Sequence, residues 1–307
     1  MAASRKLDFF ALTMNRGLAP RFLFSRRSRW ASFPAAILIP LLFAACHSRE
    51  VAPRPPRRIV TLAPNVTEMV YAVGEGRRMV GTDDSSDFPP AARSLPKVGG
   101  VQPDVERITA LRPDLVIGNA AGLPSNLGPA LKAVGIPLLI VRNERLRDIA
   151  ASMRTIGVAI GARGASAAAA AVEQQLRAQQ RTRAHPPRIM LAVWTDPLYV
   201  AGTGSFADDL FTLAGVRNAV EVGGWPQYPL ELFVAAPPDI LLLPNRSVTP
   251  EQVSTLLQRS HVSTRVVSVD ENVFTRPGPR VAEAAAALNG IADQWEKRPI
   301  VRGSPPG

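Results

Sequence analysis

Two segments 125 residues apart carry one pattern, and that pattern restricts the chain to a fold with two similar α/β halves. The first runs from Val105, Glu106, Arg107 and Ile108 to Arg112-Pro113-Asp114 and the apolar Leu115-Val116-Ile117. The second runs from Leu230, Glu231, Leu232 and Phe233 to Pro237-Pro238-Asp239 and the apolar Ile240-Leu241-Leu242. In both, a glutamate stands seven residues before a Pro-Asp step that opens the apolar run. Proline ends a helix, a carboxylate favours a helix start, and an uninterrupted apolar run suits a strand covered on both faces. Each copy therefore predicts a short helix with an acidic first turn, then a buried strand of a parallel sheet. Two α/β lobes follow, each with one acidic residue at an equivalent place, and such a protein works between its lobes.

With 307 residues, 46% of them apolar, the chain can fill two moderate cores. Its net charge of +11 suggests nucleic acid at first, but the first 45 residues hold seven Lys/Arg and one Asp, so +6 belongs there and +5 to the rest. The remaining basic residues are scattered, without a basic block interleaved with aromatics, so a nucleic-acid partner is not expected. The amino terminus instead reads as a leader. Arg21, Arg26, Arg27 and Arg29 precede an uncharged run from Trp30 to Ala45, too short for a membrane span and suited to a signal-peptide core. Leu42-Phe43-Ala44-Ala45-Cys46 resembles the lipobox of bacterial lipoproteins, with Phe43 where Leu is usual. Met1 and Met14 are both candidate starts. Cys46 is the only cysteine, so no internal disulfide forms, and lipid attachment is its expected role. The expected organisation is a signal peptide over 1–45, a tether over 46–57 rich in proline, an N-terminal lobe over 58–142, a linking helical segment over 143–185, a C-terminal lobe over 186–297 and a tail over 298–307.

Within the first lobe, strands are expected at Arg58 to Leu62, Met79 to Thr82 and Pro137 to Val141, with Asn65 capping a helix that Glu68 supports three residues on. Glycines at 157, 161 and 164 interrupt the linking segment, and the alanine-rich stretch from Ala165 to Arg183 predicts a helix of about 28 Å, enough to bridge two lobes. In the second lobe, strands are expected at Arg188 to Val193, Leu198 to Val200 and Arg265 to Val269, a helix at Phe206 to Leu213, and a last helix presenting Val281, Ala284, Ala285, Leu288, Ile291 and Trp295 on one face.

Chemistry-bearing motifs are scarce. The only histidines are His47, His185 and His261, so a metal site built from several histidines is not expected. There is no Gly-x-Ser-x-Gly elbow, no phosphate loop and no His-Glu-x-x-His. Gly202-Thr203-Gly204-Ser205-Phe206-Ala207 lies between a strand and a helix and leaves open a nucleotide-dependent enzyme, although no acidic residue is placed on a following strand end as a dinucleotide site requires.

A family resemblance rests on Arg58-Ile59-Val60-Thr61-Leu62-Ala63-Pro64-Asn65-Val66-Thr67-Glu68, Val80-Gly81, Asp87-Phe88-Pro89-Pro90, Glu106-Arg107-Ile108, Arg112 to Ile117, Trp225-Pro226-Gln227, Glu231, Pro238-Asp239-Ile240 and Phe274 to Arg280. Together these resemble the ABC-transporter substrate-binding proteins for cobalamin, siderophores and haem, most closely the cobalamin branch. The resemblance implies two lobes with mostly parallel sheets joined by a single long helix, little hinge motion, no catalysis and no resident cofactor. The cargo it implies is cobalamin, with an Fe(III)-siderophore or haem left open and Tyr199 or Tyr228 as iron ligands in the haem case. It implies docking of a monomer to a permease and ATPase complex through Glu106 and Glu231. Where cobalamin binders often place aromatics, this chain has Ser85, Val101, Asn119 and Val273, while Tyr199 and Trp225 match. Ser85, Asp87, Val101, Asn119, Trp194, Tyr199, Phe206, Trp225, Phe274 and Arg276 are therefore the expected ligand contacts.

Overall fold

The apolar runs pair as two separate, mostly parallel sheets in a computed structural model that describes residues 54–297. The expected leader, Cys46, most of the tether and the tail lie outside the described residues.

The first sheet belongs to β1 (Ile59–Thr61), β2 (Met79–Thr82), β3 (Leu115–Asn119) and β4 (Leu138–Val141), parallel throughout in the order β2-β1-β3-β4. Between its strands come α1 (Pro64–Ala72), α2 (Val105–Ala110) and α3 (Leu127–Ala133). The connector holds α4 (Leu146–Ile160) and α5 (Ala165–Ala178). The second sheet has β5 (Arg188–Thr195), β6 (Leu198–Val200), β8 (Ile240–Pro244) and β9 (Arg265–Val269) in the order β6-β5-β8-β9, with β7 (Arg217–Asn218) beside the start of β5. Its helices are α6 (Phe206–Leu213), α7 (Leu230–Ala235), α8 (Pro250–Ser260), α9 (Glu271–Phe274) and α10 (Val281–Glu296). The β5–β6 pair alone is antiparallel among these strands.

Strand alternation sorts side chains into three cores. Ile59, Leu115 and Ile117 of the first sheet share one core with Ile189, Leu191, Ile240 and Leu242 of the second, and α1, α4, α5, α6 and α10 fill the space between. On the opposite faces, Val60 and Val116 pack with Ile108 and Leu131, while Met190, Leu241 and Leu243 pack with Phe233 and Leu256. Both faces of each central strand are thus covered, as uninterrupted apolar runs require. Each Ile, Leu or Phe so buried contributes roughly 1.5–3 kcal/mol. Because one core passes beneath both lobes, swinging them apart would expose apolar surface, which favours a rigid frame.

Several local expectations change. Asn65 does not cap α1: Pro64 begins the helix, Ala63 precedes it with no side-chain cap, and Asn65 Nδ2 instead donates to Pro277 O at 3.3 Å across the lobes. The bridging helix is α5, which starts at Ala165 as expected but stops at Ala178, short of Arg183. Nor does it act alone, because α4 packs along it, with Arg154 Nη1 donating to Glu173 Oε1 at 2.8 Å. Gly161, at φ +65°, ends α4, whereas Gly157 lies inside that helix, where an added Cβ would fall 2.0 Å from the Ala165 Cβ. Glycine there lets the helices approach. The end of the expected tether is also part of the folded body, since Pro56 O accepts from Arg78 Nη1 and Arg57 N donates to Asp114 Oδ2.

Candidate functional site

The carboxyl ends of β3 and β4 and the start of α6 face a cleft between the lobes, the place where open α/β sheets present their ligands. Asn119, Ala121, Asn143 and Glu144 line it from the first lobe and its exit segment; Gly204, Ser205, Phe206, Gly224, Trp225, Thr275 and Pro277 line it from the second. Its volume is about 410 Å³.

The second-lobe wall is built by backbone pairing. Gly202 N donates to Gly224 O at 2.8 Å, Thr203 N to Val222 O at 2.9 Å and Gly224 N to Thr203 O at 2.9 Å. Only glycine permits this approach, because a Cβ on Gly202 would lie 1.9 Å from Val222 O. Ser205 caps α6 by accepting from Asp208 N, and Asp208 accepts from Gly204 N. The pairing holds Trp225 beside Phe206, ring centroids 5.8 Å apart. The pairing engages the amides of Gly202 and Thr203, and Asp208 engages that of Gly204, so the amides that a phosphate-binding loop would direct at its ligand are already used.

Of the expected contacts, Asn119, Phe206 and Trp225 come together on this cleft. Trp194 and Tyr199 pair across β5 and β6, outside its lining, and Trp194 Nε1 donates to Asp196 O. Val101 is 79% exposed on a loop before α2. Phe274 is 1% exposed in the shared core and has no surface to offer a ligand, and Val273 is buried likewise. Ser85 and Asp87 sit on a loop held by buried hydroxyls: Thr67 Oγ1 meets Ser86 Oγ at 2.7 Å, and Asp83 accepts from Ser86 Oγ and Ser85 N.

Asp87 and Arg276 meet each other rather than open space. Arg276 Nη1 donates to Asp87 Oδ1 at 2.7 Å and Arg246 Nη1 to Asp87 Oδ2 at 2.9 Å, joining the lobes. Burial raises the Asp87 carboxyl, but these guanidiniums outweigh it and hold the group below the usual range. Nearby, Arg280 grips the buried Glu68 with Nε to Oε2 at 2.9 Å and Nη2 to Oε1 at 2.7 Å, and its guanidinium carbon lies 3.9 Å from the Phe88 ring centroid. The Pro64 to Glu68 and Phe274 to Arg280 segments, both part of the recognised pattern, therefore touch each other across the lobes. Arg145, at the connector's start, binds Asp209 of α6 through Nε at 2.8 Å and through Nη2.

Asn143 was not among the expected contacts. It is 3% exposed on the cleft wall, and neither Nδ2 nor Oδ1 has a partner among the described residues. A polar residue just beyond an apolar strand end was its only sequence signal. Tyr228 is buried and faces a separate hollow of about 330 Å³ with Thr195, Asp196, Glu231 and Arg259. Neither Tyr199 nor Tyr228 lines the cleft. Among the described residues no group of three His, Cys, Asp or Glu side chains could hold a metal ion. Glu106 and Glu231 are exposed in the first turns of α2 and α7.

Comparison with known proteins accounts for this frame. Residues 59–266 match the periplasmic binding protein family model. A vitamin B12-binding protein of Pectobacterium atrosepticum is 30% identical over 244 residues, covering 76% of this chain and 87% of its own. The crystal structure of the periplasmic vitamin B12-binding protein of Vibrio cholerae superposes with a TM-score of 0.69 at 25% identity, covering 80% of this chain and 100% of that one. An apo periplasmic heme-binding protein from Roseiflexus sp. RS-1 gives 0.68 at 27% identity, covering 77% and 99%. The chain belongs to the periplasmic binding protein family, within the class that serves cobalamin, haem and siderophores.

Proposed function

We propose that this chain is a lipid-anchored, monomeric substrate-binding protein that captures a corrinoid in the inter-lobe cleft and delivers it to an ABC permease. The observation that carries the reading is the cleft itself: two lobes on one shared core, with Phe206 and Trp225 held against it by the Gly202 pairing. Trp225, half-exposed and backed by the buried Phe206, offers a flat apolar face beside Asn119, Glu144 and Thr275, which suits a flat, partly apolar macrocycle. The vitamin B12-binding relatives favour the same cargo. Cys46 provides the anchor, and the chain works outside the cytoplasm.

Docking falls to Glu106 and Glu231. Each stands at an exposed helix start, where a carboxylate can meet a permease cation, and the hollow beside Glu231 adds Asp196 and a buried Thr195 hydroxyl without a described partner. Exposed ion pairs contribute about 0–1 kcal/mol each, so their effect lies in orientation and rate. Release then follows from differential binding, the docked state holding the cargo less tightly than the free one.

The test is the absorption spectrum of protein purified from its native host, followed by titration with cyanocobalamin. A corrin band and tight binding are expected. A haem or ferric-siderophore band would replace the corrinoid reading, and stoichiometric nucleotide binding would replace transport with an enzyme built on the Gly202 loop.

A further inference from the structure

The segment between α9 and α10, Thr275-Arg276-Pro277-Gly278-Pro279-Arg280, forms part of the second-lobe wall of the cleft and is fastened by side chains of the first lobe. Thr275 and Pro277 line the cleft. Arg276 and Arg280 reach into the first lobe instead. Arg276 Nη1 donates to Asp87 Oδ1 at 2.7 Å and Nη2 to Ser85 O at 3.3 Å, while Arg280 chelates Glu68. Asn65 Nδ2 holds the carbonyl of Pro277 itself at 3.3 Å. Between them the buried Gly278 rests on α1, where an added Cβ would lie 3.5 Å from Asn65 Cβ and from Glu68 Oε2.

The strap is held more firmly than a surface loop. The side chains of Arg276 and Arg280 are 13% and 15% exposed, so water screens their ion pairs little. Pro277 and Pro279 restrict the backbone on either side of Gly278. The first sheet divides its strand ends to the same purpose. The chain after β1 and after β2 supplies the grips, whereas the ends of β3 and β4 face the cleft.

We propose that Asn65, Asp87 and Arg276 are positioning residues for the cargo: they hold Thr275 and Pro277 at the spacing at which the cleft accepts it, and so set affinity without touching it. This rests on the cleft being the cargo site. A wall fixed before binding spares the complex the cost of ordering it, whereas a strap released from the first lobe must be ordered at every binding event. Glu68 and Arg280 anchor the far end of the strap, but Glu68 is buried and stranding either charge threatens folding, so the test leaves that pair intact.

Absorption titration with cyanocobalamin and with haem, well below the melting temperature, reads the effect. With whichever probe the unmutated protein binds, Asp87→Asn and Arg276→Gln are each expected to weaken binding about tenfold and Asn65→Ala about threefold. Asp87 and Arg276 act through one contact, so the double variant is expected to stay at about tenfold. Asp114→Ala releases β1 and β3 at the end away from the cleft, and is expected to lower the melting temperature with affinity unchanged. That control separates a moved wall from a general loss of stability. Unchanged affinity in Asp87→Asn and Arg276→Gln overturns the proposal, as does an equal loss in Asp114→Ala. A double variant weakened about a hundredfold also overturns it, because separate costs mean that each residue meets the cargo by itself. Binding of haem in place of cyanocobalamin defeats the corrinoid reading, and the same variants then decide the role of the strap with haem. An unmutated protein that binds neither probe defeats both.

Discussion

The two repeat units share their interior chemistry and differ at their surfaces. In the first lobe, Asp114 Oδ2 accepts from Arg57 N at 2.7 Å and Arg58 N at 2.9 Å, pinning the chain as it enters β1. In the second, Asp239 Oδ2 accepts from Arg188 N at 2.7 Å at the start of β5. Arg58 and Arg188 return the contact, donating to Leu111 O and Pro237 O at the end of the preceding repeat helix. Ile108 and Phe233, equivalent in the pattern, both anchor their helix in an outer core. The Pro-Asp step thus does more than stop a helix: its aspartate sets the entry of the neighbouring central strand. Outside, α2 is capped by Asp104, with Arg107 paired to it, whereas α7 follows Pro229 without a side-chain cap and exposes Leu232 and Val234. The lobes share the contacts that set their strands and differ in what each shows to solvent.

The largest expected effect concerns those surfaces. Glu106→Ala combined with Glu231→Ala is expected to abolish uptake in cells carrying the cognate permease and leave cargo affinity unchanged in titration, because neither residue lines the cleft. The single variants sharpen the comparison. Glu231, with its hollow and exposed apolar neighbours, is expected to account for more of the loss than Glu106; equal losses would mean that the lobes dock alike despite their different surroundings.

Aspartates of both lobes bind arginines outside their own lobe, among them Asp87 with Arg276 and Arg246 of the second lobe and Asp209 with Arg145 of the connector. Burial raises the Asp209 carboxyl, but hydrogen bonds from Arg145 and Leu146 N–H dominate and hold it below its usual range, as happens to Asp87. A carboxyl lowered by folding gives stability that is present above its unfolded pKa, about 3.9, and is lost as pH falls through the folded value. Glu68, whose carboxyl burial pushes up despite Arg280, works in the opposite sense and blunts the decline. Melting temperature is therefore expected to fall as pH drops below about 4, and more shallowly in Asp87→Asn and Asp209→Asn. A steeper acid decline in either variant would contradict the pairing.

Next in size come the strand-entry aspartates. Asp114 accepts two N–H bonds and Asp239 one, both at partly solvated positions, so Asp239→Ala should cost about 1 kcal/mol and Asp114→Ala up to about twice that. Denaturant unfolding measures both. A larger loss from Asp239→Ala would reverse the comparison.

Sequence pattern reached these lobes because apolar runs and Pro-Asp steps are local. The bounds of α6 at Phe206–Leu213 and β9 at Arg265–Val269 follow from such signals. The helix α8 carries an equally local signal, because Thr249 and Gln252 form a capping box around Pro250. Other features lie beyond local pattern. Asn65 has the chemistry of a helix cap, but a carbonyl 212 residues away claims its side chain. Asp87 and Arg276 are polar residues of the kind a cleft needs, yet tertiary placement turns them on each other. Phe274 is aromatic and falls in a recognised segment, but α9 aims it into the core. Asn143 follows an apolar strand with nothing in its neighbours to mark it, and only the approach of the second lobe gives it a cavity to face.

The smallest expected effect tests whether the repeat helices differ in intrinsic strength. Asp104 accepts from Glu106 N at 2.9 Å and Arg107 N at 3.1 Å, satisfying two donors that a helix start leaves unpaired. The first turn of α7 has no such acceptor from its N-cap, and Phe233 holds that helix by burial alone. Removing the cap by Asp104→Ala should cost about 0.5–1 kcal/mol, since α2 has only six residues and Ile108 still anchors it. The loss should appear as faster amide exchange at Glu106 and Arg107, with no counterpart around Glu231. If Glu106 orients the protein on its permease, that fraying should also lower uptake slightly without touching cargo affinity. An Asp104→Ala protein with unchanged exchange at those amides would show that packing alone sets both helices, and the two lobes would then be equivalent at their surfaces as well as within.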